Sequence, residues 1–341
     1  MAEAVPHYEV DPYWPKPLPE NWIIGQVAGV AVDRRNHVWV VHRPRSLTER
    51  ETGAAQDPPI AECCFPAPSV LQFDPQGHVV RAWGARDGER WPVTEHGLFV
   101  DDDDNVWTGG INDEDHVIFK STADGERLLT IGQWGETGGS NDTRLLGRAA
   151  DIAVDHEANE AYIADGYANR RVVVFDAQTG AYKRHWGAYG ETPHDEELPP
   201  YNPDDEVLRS FRSPVHAVRI SNDGLVYTAD RTNNRVQVFH KDGTFVAESF
   251  FATRTLAMGA VWDLEFSPDP EQTYLYVPDG TNMKVWILTR RDLQVVGAFG
   301  HPGRLAGYFE WVHSLAGDAN GNLFTGEVNT GKRLQRFVRV K

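Results

Sequence analysis

Asp151-Ile-Ala-Val-Asp155 begins the stretch that decides the fold. A turn follows at 156–160, an apolar run at 161–164, a loop, then Arg171–Asp176, the turn Gln178-Thr-Gly180, Tyr182–Trp186 and Gly187. Apolar and polar residues alternate within the runs, and Asn, Asp and Gly punctuate them, which is the pattern of an antiparallel meander. The opening strand recurs along the chain as Ala28-Gly-Val-Ala-Val-Asp33, His96-Gly-Leu-Phe-Val-Asp101, Ala150-Asp-Ile-Ala-Val-Asp155, His216-Ala-Val-Arg-Ile-Ser221, Trp262-Asp-Leu-Glu-Phe-Ser267 and His313-Ser-Leu-Ala-Gly-Asp318. Self-similar units of roughly 40–70 residues, each with several short strands, read as propeller blades. The sequence therefore predicts an all-β, six-bladed β-propeller, with residues 1–341 as one domain.

Details of the repeats refine this expectation. The sixth repeat runs out at Lys341 after its third strand. An N-terminal strand, near 8–10 or 22–26, is expected to complete it and close the ring, because an unpaired edge would otherwise stay open. The aromatic-glycine pairs Trp83-Gly84, Trp186-Gly187 and Phe299-Gly300 end the outer strands and read as blade packing. Long connections at 44–69, 133–148, 188–212 and 300–310 are expected to gather on one rim, where long loops in compact domains are commonly functional. The Pro-rich, acidic part of the third, at 190–205, would suit a lid or a solvated surface loop.

Repeats two, four and six open with His96, His216 and His313; repeats one, three and five do not. Alternate blades of a six-fold ring stand about 120° apart around one channel. If each repeat opens with its innermost strand, the three imidazoles converge on the axis. A lone histidine at a strand start is more often a packed core residue, but with 13 histidines in 341 residues chance is a poor explanation for the alternating set. Three imidazole nitrogens facing one another favour a divalent metal, and zinc with three protein ligands keeps a fourth position for water or substrate.

The second strands add candidates just past their ends. Aligning Trp39-Val-Val-His42-Arg43 with Tyr227-Thr-Ala-Asp230-Arg231 puts Arg43 and Arg231 at equivalent positions of blades one and four, on opposite sides of the channel. Two guanidiniums above a metal could bind a carboxylate or stabilise developing negative charge; each could equally pair with a neighbouring aspartate.

Composition narrows the partners. Fifty Asp and Glu against 33 Lys and Arg give a formal net charge of −17, which argues against binding a phosphate backbone. No apolar run reaches the 18 or so residues of a membrane span, and the start Met1-Ala-Glu-Ala-Val-Pro-His-Tyr-Glu lacks the basic and apolar regions of a secretory leader. A small-molecule or short-peptide substrate is expected, with no nucleic acid or membrane partner, in a cytoplasmic or already processed chain. Cys63 and Cys64 are neighbours in a Pro-rich stretch; adjacent cysteines rarely pair, so they read as two loop thiols that supply no disulfide framework.

Several segments carry a family resemblance: Val41-His42-Arg43, Glu95-His96-Gly97-Leu98, Ala164-Asp165-Gly166-Tyr167-Ala168-Asn169-Arg170-Arg171, Pro214-Val215-His216-Ala217, Ala229-Asp230-Arg231-Thr232-Asn233-Asn234-Arg235 and Val312-His313-Ser314. Taken in order, the chain resembles the peptidyl-α-hydroxyglycine α-amidating lyases, propellers of NHL-type repeats. The resemblance implies that His96, His216 and His313 bind zinc, that Tyr167 is the base, and that Arg43 and Arg231 flank the substrate. Such lyases cleave an N-acyl hemiaminal to an amide and an aldehyde such as glyoxylate. The chain departs from the family in three places. The aspartate after the third zinc histidine, which helps hold a structural calcium, is Ser314; the methionine two residues before that histidine is Trp311; and Ala168 stands where the family has a cysteine. Calcium is therefore weakly supported, and the natural substrate could differ from a peptide ending in hydroxyglycine. Two other readings stand beside the lyase: a metal-dependent propeller hydrolase of lactones, esters or amides, and a non-catalytic NHL-repeat interaction propeller.

Overall fold

In the computed structural model, which describes residues 5–340, the repeats form six four-stranded antiparallel sheets. Met1–Ala4, where the reading of a leader began, and Lys341 lie outside the described residues. The third sheet runs Asp151–Asp155, Glu160–Asp165, Arg171–Asp176 and Tyr182–Trp186, within a residue of the bounds expected from the sequence. The first strand of each repeat is innermost, and these six strands pack side by side around the axis. Among the described residues there is no α-helix, and hence no helix long and apolar enough to cross a membrane.

Why the repeats fold this way is visible at the first turn of blades one and two. Asp33 ends the first inner strand, and its carboxylate accepts the backbone N–H groups of Arg35 and His37 and the indole N–H of Trp39. Asp101 does the same for Asp103, Asn105 and Trp107. One side chain thus satisfies a tight turn and the polar atom of a fully buried tryptophan, so the indole contributes its apolar area without an unpaired donor. Apolar cores lie between adjacent blades; Ala217, Val236, Val261, Leu264 and Val277 fill the space between blades four and five.

The ring closes with the N-terminal strand His7–Asp11, which pairs antiparallel with Leu334–Val340 and becomes the outer strand of blade six. Tyr8 faces inward, donates its hydroxyl to that of Tyr276 at 2.7 Å, and packs on Phe299. The alternative closing segment at 22–26 does other work: Trp22–Ile23 makes a small parallel ribbon with Phe65–Pro66, and Gln26 begins the inner strand of blade one. The aromatic-glycine pairs do pack blades together: Trp83 lies against Gly125 and Trp186 against Gly243 on the turns of the next blade.

In an antiparallel meander the connections after second and fourth strands open at the end where first strands begin. The four long loops therefore share the rim toward which the histidines lie. The 190–205 segment is tied down on this rim. The Tyr201 hydroxyl donates to the Thr253 carbonyl, Arg254 pairs with Asp204, and Arg170 donates to the Glu196 carbonyl. The loop 44–69 brings one correction: Cys63 and Cys64 are joined as a disulfide and not left as free thiols. The bond is local, between neighbours whose Cα atoms are 3.1 Å apart, whereas the expectation assumed the wider spacing of ordinary pairs.

Candidate metal centre

The histidines reach the axis through irregularities in their strands. In blades four and six the pairing register shifts at the histidine itself, between Val215 and Ala217 and between Val312 and Ser314; in blade two it shifts between His96 and Leu98. A bulge adds a residue to one strand and re-aims the side chain there. In blade two the extra residue is Gly97 at φ 71, and a Cβ on it would lie 2.6 Å from the carbonyl oxygen of Ala150.

That carbonyl is part of the centre. His96 Nδ1–H donates to Ala150 O at 2.7 Å, and His216 Nδ1–H donates to Trp262 O. Ala150 and Trp262 stand just ahead of the first strands of blades three and five, so two of the repeats that lack histidine supply the carbonyls that orient His96 and His216, while His313 Nδ1 is buried without a partner. Each such bond assigns the proton to Nδ1 and leaves the Nε2 lone pair pointing inward. The coordinating nitrogens of His96, His216 and His313 lie within 4.8 Å of one another, and His313 Nε2 is 3.1 Å from His96 Nε2. All three rings are buried, and burial, reinforced by neighbouring positive charge, holds their pKa values well below that of a free histidine. Neutral imidazoles with converging ring nitrogens and no carboxylate among them are a donor set that could hold a divalent ion of the zinc type.

Two further groups face this triad. The Tyr167 hydroxyl is 3.2 Å from both His96 Nε2 and His216 Nε2. Arg231 Nη1 donates to that hydroxyl at 3.4 Å, and the guanidinium lies over the Trp262 ring, 4.5 Å from its centroid. Both residues sit in turns built alike. After Asp165, whose carboxylate accepts Asn169 Nδ2 and Arg171 Nε, comes Tyr167; after Asp230, which accepts Asn233 Nδ2 and Arg235 Nε, comes Arg231. These buried pairs fix the turn backbone and so the direction of the side chains that follow. Arg43, at the same position of blade one, donates Nε to Glu95 O and Nη1 to Gln26 Oε1. Its charge acts on Tyr167 and on all three histidines. All six residues singled out in the sequence are therefore together.

An NHL repeat family pattern matches residues 215–239, the first three strands of blade four. Peptidyl-glycine alpha-amidating monooxygenase B of Xenopus laevis is 27% identical over 343 residues, covering 95% of this chain and 35% of that protein. Peptidyl-alpha-hydroxyglycine alpha-amidating lyase 1 of Drosophila melanogaster is 26% identical over 348 residues, 95% of this chain and 58% of that one. The chain resembles the α-amidating lyases. It spans well under two thirds of the length of these relatives. A human protein named NHL repeat-containing protein 3 is also similar, 25% identical over 300 residues, 85% of this chain and 70% of its own length.

Where the chain departs from the amidating lyases, the site differs physically. Trp311 stands 6.1 Å from Trp262, and Trp262 stands 5.8 Å from both His216 and His313, so an aromatic wall borders the triad. Ser314 Oγ is buried without a hydrogen-bond partner in a cavity of about 10 Å³ that Arg219, Asp151 and Asp263 also line. A guanidinium in that cavity does not fit a second divalent cation. Ala168 is exposed in the Tyr167 turn. Sequence reasoning missed Glu95, Trp262 and the Arg219 group. Glu95 is buried, accepts Ser69 Oγ and Trp91 Nε1 at 2.9 Å each, and has its carboxyl pushed up by burial. The available signal was charge at inner-strand positions, as with Arg219 within His216-Ala-Val-Arg-Ile and Asp151 within Ala150-Asp-Ile-Ala-Val.

Proposed function

We propose that this chain is a zinc-dependent lyase that cleaves the C–N bond of an α-hydroxyamide, an N-acyl hemiaminal of the peptidyl-α-hydroxyglycine type, to an amide and an aldehyde such as glyoxylate. The observation that carries this reading is the Tyr167 hydroxyl poised 3.2 Å from two of three converging imidazole nitrogens, with the Arg231 guanidinium on its other side. The names of the related proteins support it.

A divalent ion held by His96, His216 and His313 would supply a Lewis acid that acidifies the substrate hydroxyl. Tyr167, as phenolate, takes the carbinol proton; its negative charge is balanced by Arg231 and Arg43. The electron pair left on the deprotonated oxygen then forms the aldehyde C=O bond as the C–N pair leaves with nitrogen, and the proton held at Tyr167 Oη passes to the leaving amide nitrogen, so no net proton or water is consumed. Arg43 and Arg231 would hold a substrate carboxylate. The Trp262–Trp311 wall suits an apolar or flat acyl group, and the 10 Å³ cavity beneath the triad is too small to admit one, so substrate comes from the loop rim.

Incubation with an N-acyl-α-hydroxyglycine tests the reaction. Amide and glyoxylate in equal amounts, with a loss of rate of at least about a hundredfold in Tyr167→Phe, are expected for general-base removal. A carboxylic acid formed from the acyl group and carrying solvent oxygen, in place of the amide, would support a metal-dependent hydrolase instead; the aldehyde oxygen of glyoxylate exchanges through its hydrate and is left out of the comparison. An unaffected Tyr167→Phe protein would remove the base assignment. The partner reading, a small or short-peptide substrate and neither nucleic acid nor membrane, predicts no binding to DNA or to anionic vesicles at low salt. A cytoplasmic place is part of the proposal and is set against the Cys63–Cys64 bond, since disulfides persist in oxidising compartments. Thiol labelling of the freshly lysed source reads free thiols if it holds and a disulfide if the chain works outside the cytoplasm.

A further inference from the structure

Arg219 lies three residues beyond His216 on the same inner strand, and its guanidinium bridges carboxylates of the two flanking blades. Nη1 donates to Asp151 Oδ2 on blade three, and Nη2 donates to Asp263 Oδ1 on blade five at 2.8 Å. The partners adjoin the supports of the metal centre. Asp151 follows Ala150, whose carbonyl orients His96; Asp263 follows Trp262, whose carbonyl orients His216. The same carboxylates accept backbone N–H groups of the histidine strands. Asp151 Oδ2 takes that of Val218 at 3.1 Å, two residues past His216, and Asp263 Oδ2 takes that of Leu315 at 3.0 Å, two residues past His313. Arg219 closes the arrangement by donating Nη1 to the carbonyl of Val218 at 2.8 Å. All three side chains are largely buried, and only the 10 Å³ cavity separates them from the triad.

We infer that Arg219 is the positioning residue of the metal centre, a built-in cation that locks the orienting carbonyls and the strands of His216 and His313, in the cavity where the resemblance would put calcium. This rests on the metal-centre reading above. The planar fork of arginine reaches two carboxylates at once, which a lysine ammonium or a mobile ion does less specifically. Groups that orient metal ligands govern affinity without touching the metal.

The test compares wild type with Arg219→Met and Arg219→Lys. Zinc affinity is read by chelator competition, the ligand field by the absorption of the cobalt-substituted protein, and imidazole hydrogen bonding by histidine ¹⁵N resonances of the metal-free protein. Arg219→Met is expected to bind zinc about 10–100-fold more weakly, with an altered cobalt spectrum, and Arg219→Lys to recover part of the loss. In metal-free wild type the Nδ1–H groups of His96 and His216 should show hydrogen bonds that Arg219→Met loses. A folded Arg219→Met protein with wild-type zinc affinity and unchanged resonances overturns the inference, as does calcium that binds wild type and raises its melting temperature. If Arg219→Met does not fold, Asp263→Asn, which keeps the shape and removes a charge, carries the same readouts. Should wild type bind no zinc, the proposed function fails, while the metal-free resonances still decide the positioning role.

Discussion

His42 and Arg43 are adjacent residues with opposite tasks. Arg43 turns toward the histidine triad, whereas His42 is wholly buried in blade one. Its Nδ1 accepts the Gly25 N–H at 3.1 Å and its Nε2–H donates to Pro68 O at 3.0 Å, an arrangement that requires the neutral ring. Burial lowers its pKa to about 4. A histidine depressed in the folded state contributes stability above its unfolded pKa of about 6.5, and that stability is lost as pH falls through about 4. The shift corresponds to about 3 kcal/mol at most. Denaturant unfolding of wild type and His42→Gln with metal bound should therefore show the wild type losing more stability between pH 6.5 and 4. Parallel curves would mean that His42 titrates normally. Neither the burial nor the two partners of His42 could be read from Val41-His42-Arg43, because Gly25 and Pro68 are 17 and 26 residues away.

Single elements carry the site's geometry. The bulge at Gly97 sets how closely blade two approaches the Ala150 carbonyl that orients His96. Gly97→Ala should cost about 1–2 kcal/mol from left-handed backbone alone and, by pushing Ala150 aside, weaken metal binding; melting curves and chelator competition measure the two effects, and unchanged metal affinity would show that the carbonyl is dispensable. The strand His7–Asp11 carries the closure. Tyr8→Ala should destabilise by about 3–5 kcal/mol, as buried aromatic truncations do, while Glu9→Ala on the exposed face should change little. Equal effects would contradict the inward register of this strand. The alternation of hydrophobic residues was enough to locate most strands, including all four of blade three. It could not choose between the two closing segments, since both Tyr8-Glu-Val and Trp22-Ile-Ile-Gly-Gln have strand character and only long-range pairing with Leu334–Val340 selects the first. Blade five shows the other limit, with an inner strand reduced to Glu265–Phe266 where the repeat pattern Trp262–Ser267 predicts a longer one.

The whole molecule uses a six-fold ring to make a three-fold site. Histidine in alternate blades brings three imidazoles together, two of them oriented by carbonyls of the intervening blades, beneath a rim that gathers the long loops. That much followed from where His96, His216 and His313 fall in the repeats. The group below the triad did not, since it joins Arg219 to Asp151 and Asp263 across 68 and 44 residues, contacts that exist only once the ring is closed. The measurement that bears most directly on this account is the metal content of the purified protein by inductively coupled plasma mass spectrometry, beside a His96→Ala, His216→Ala double variant. The account predicts about one zinc per chain, lost in a folded double variant. No metal in the wild type, even after zinc is supplied, would contradict it and leave the chain an NHL-repeat propeller without metal chemistry.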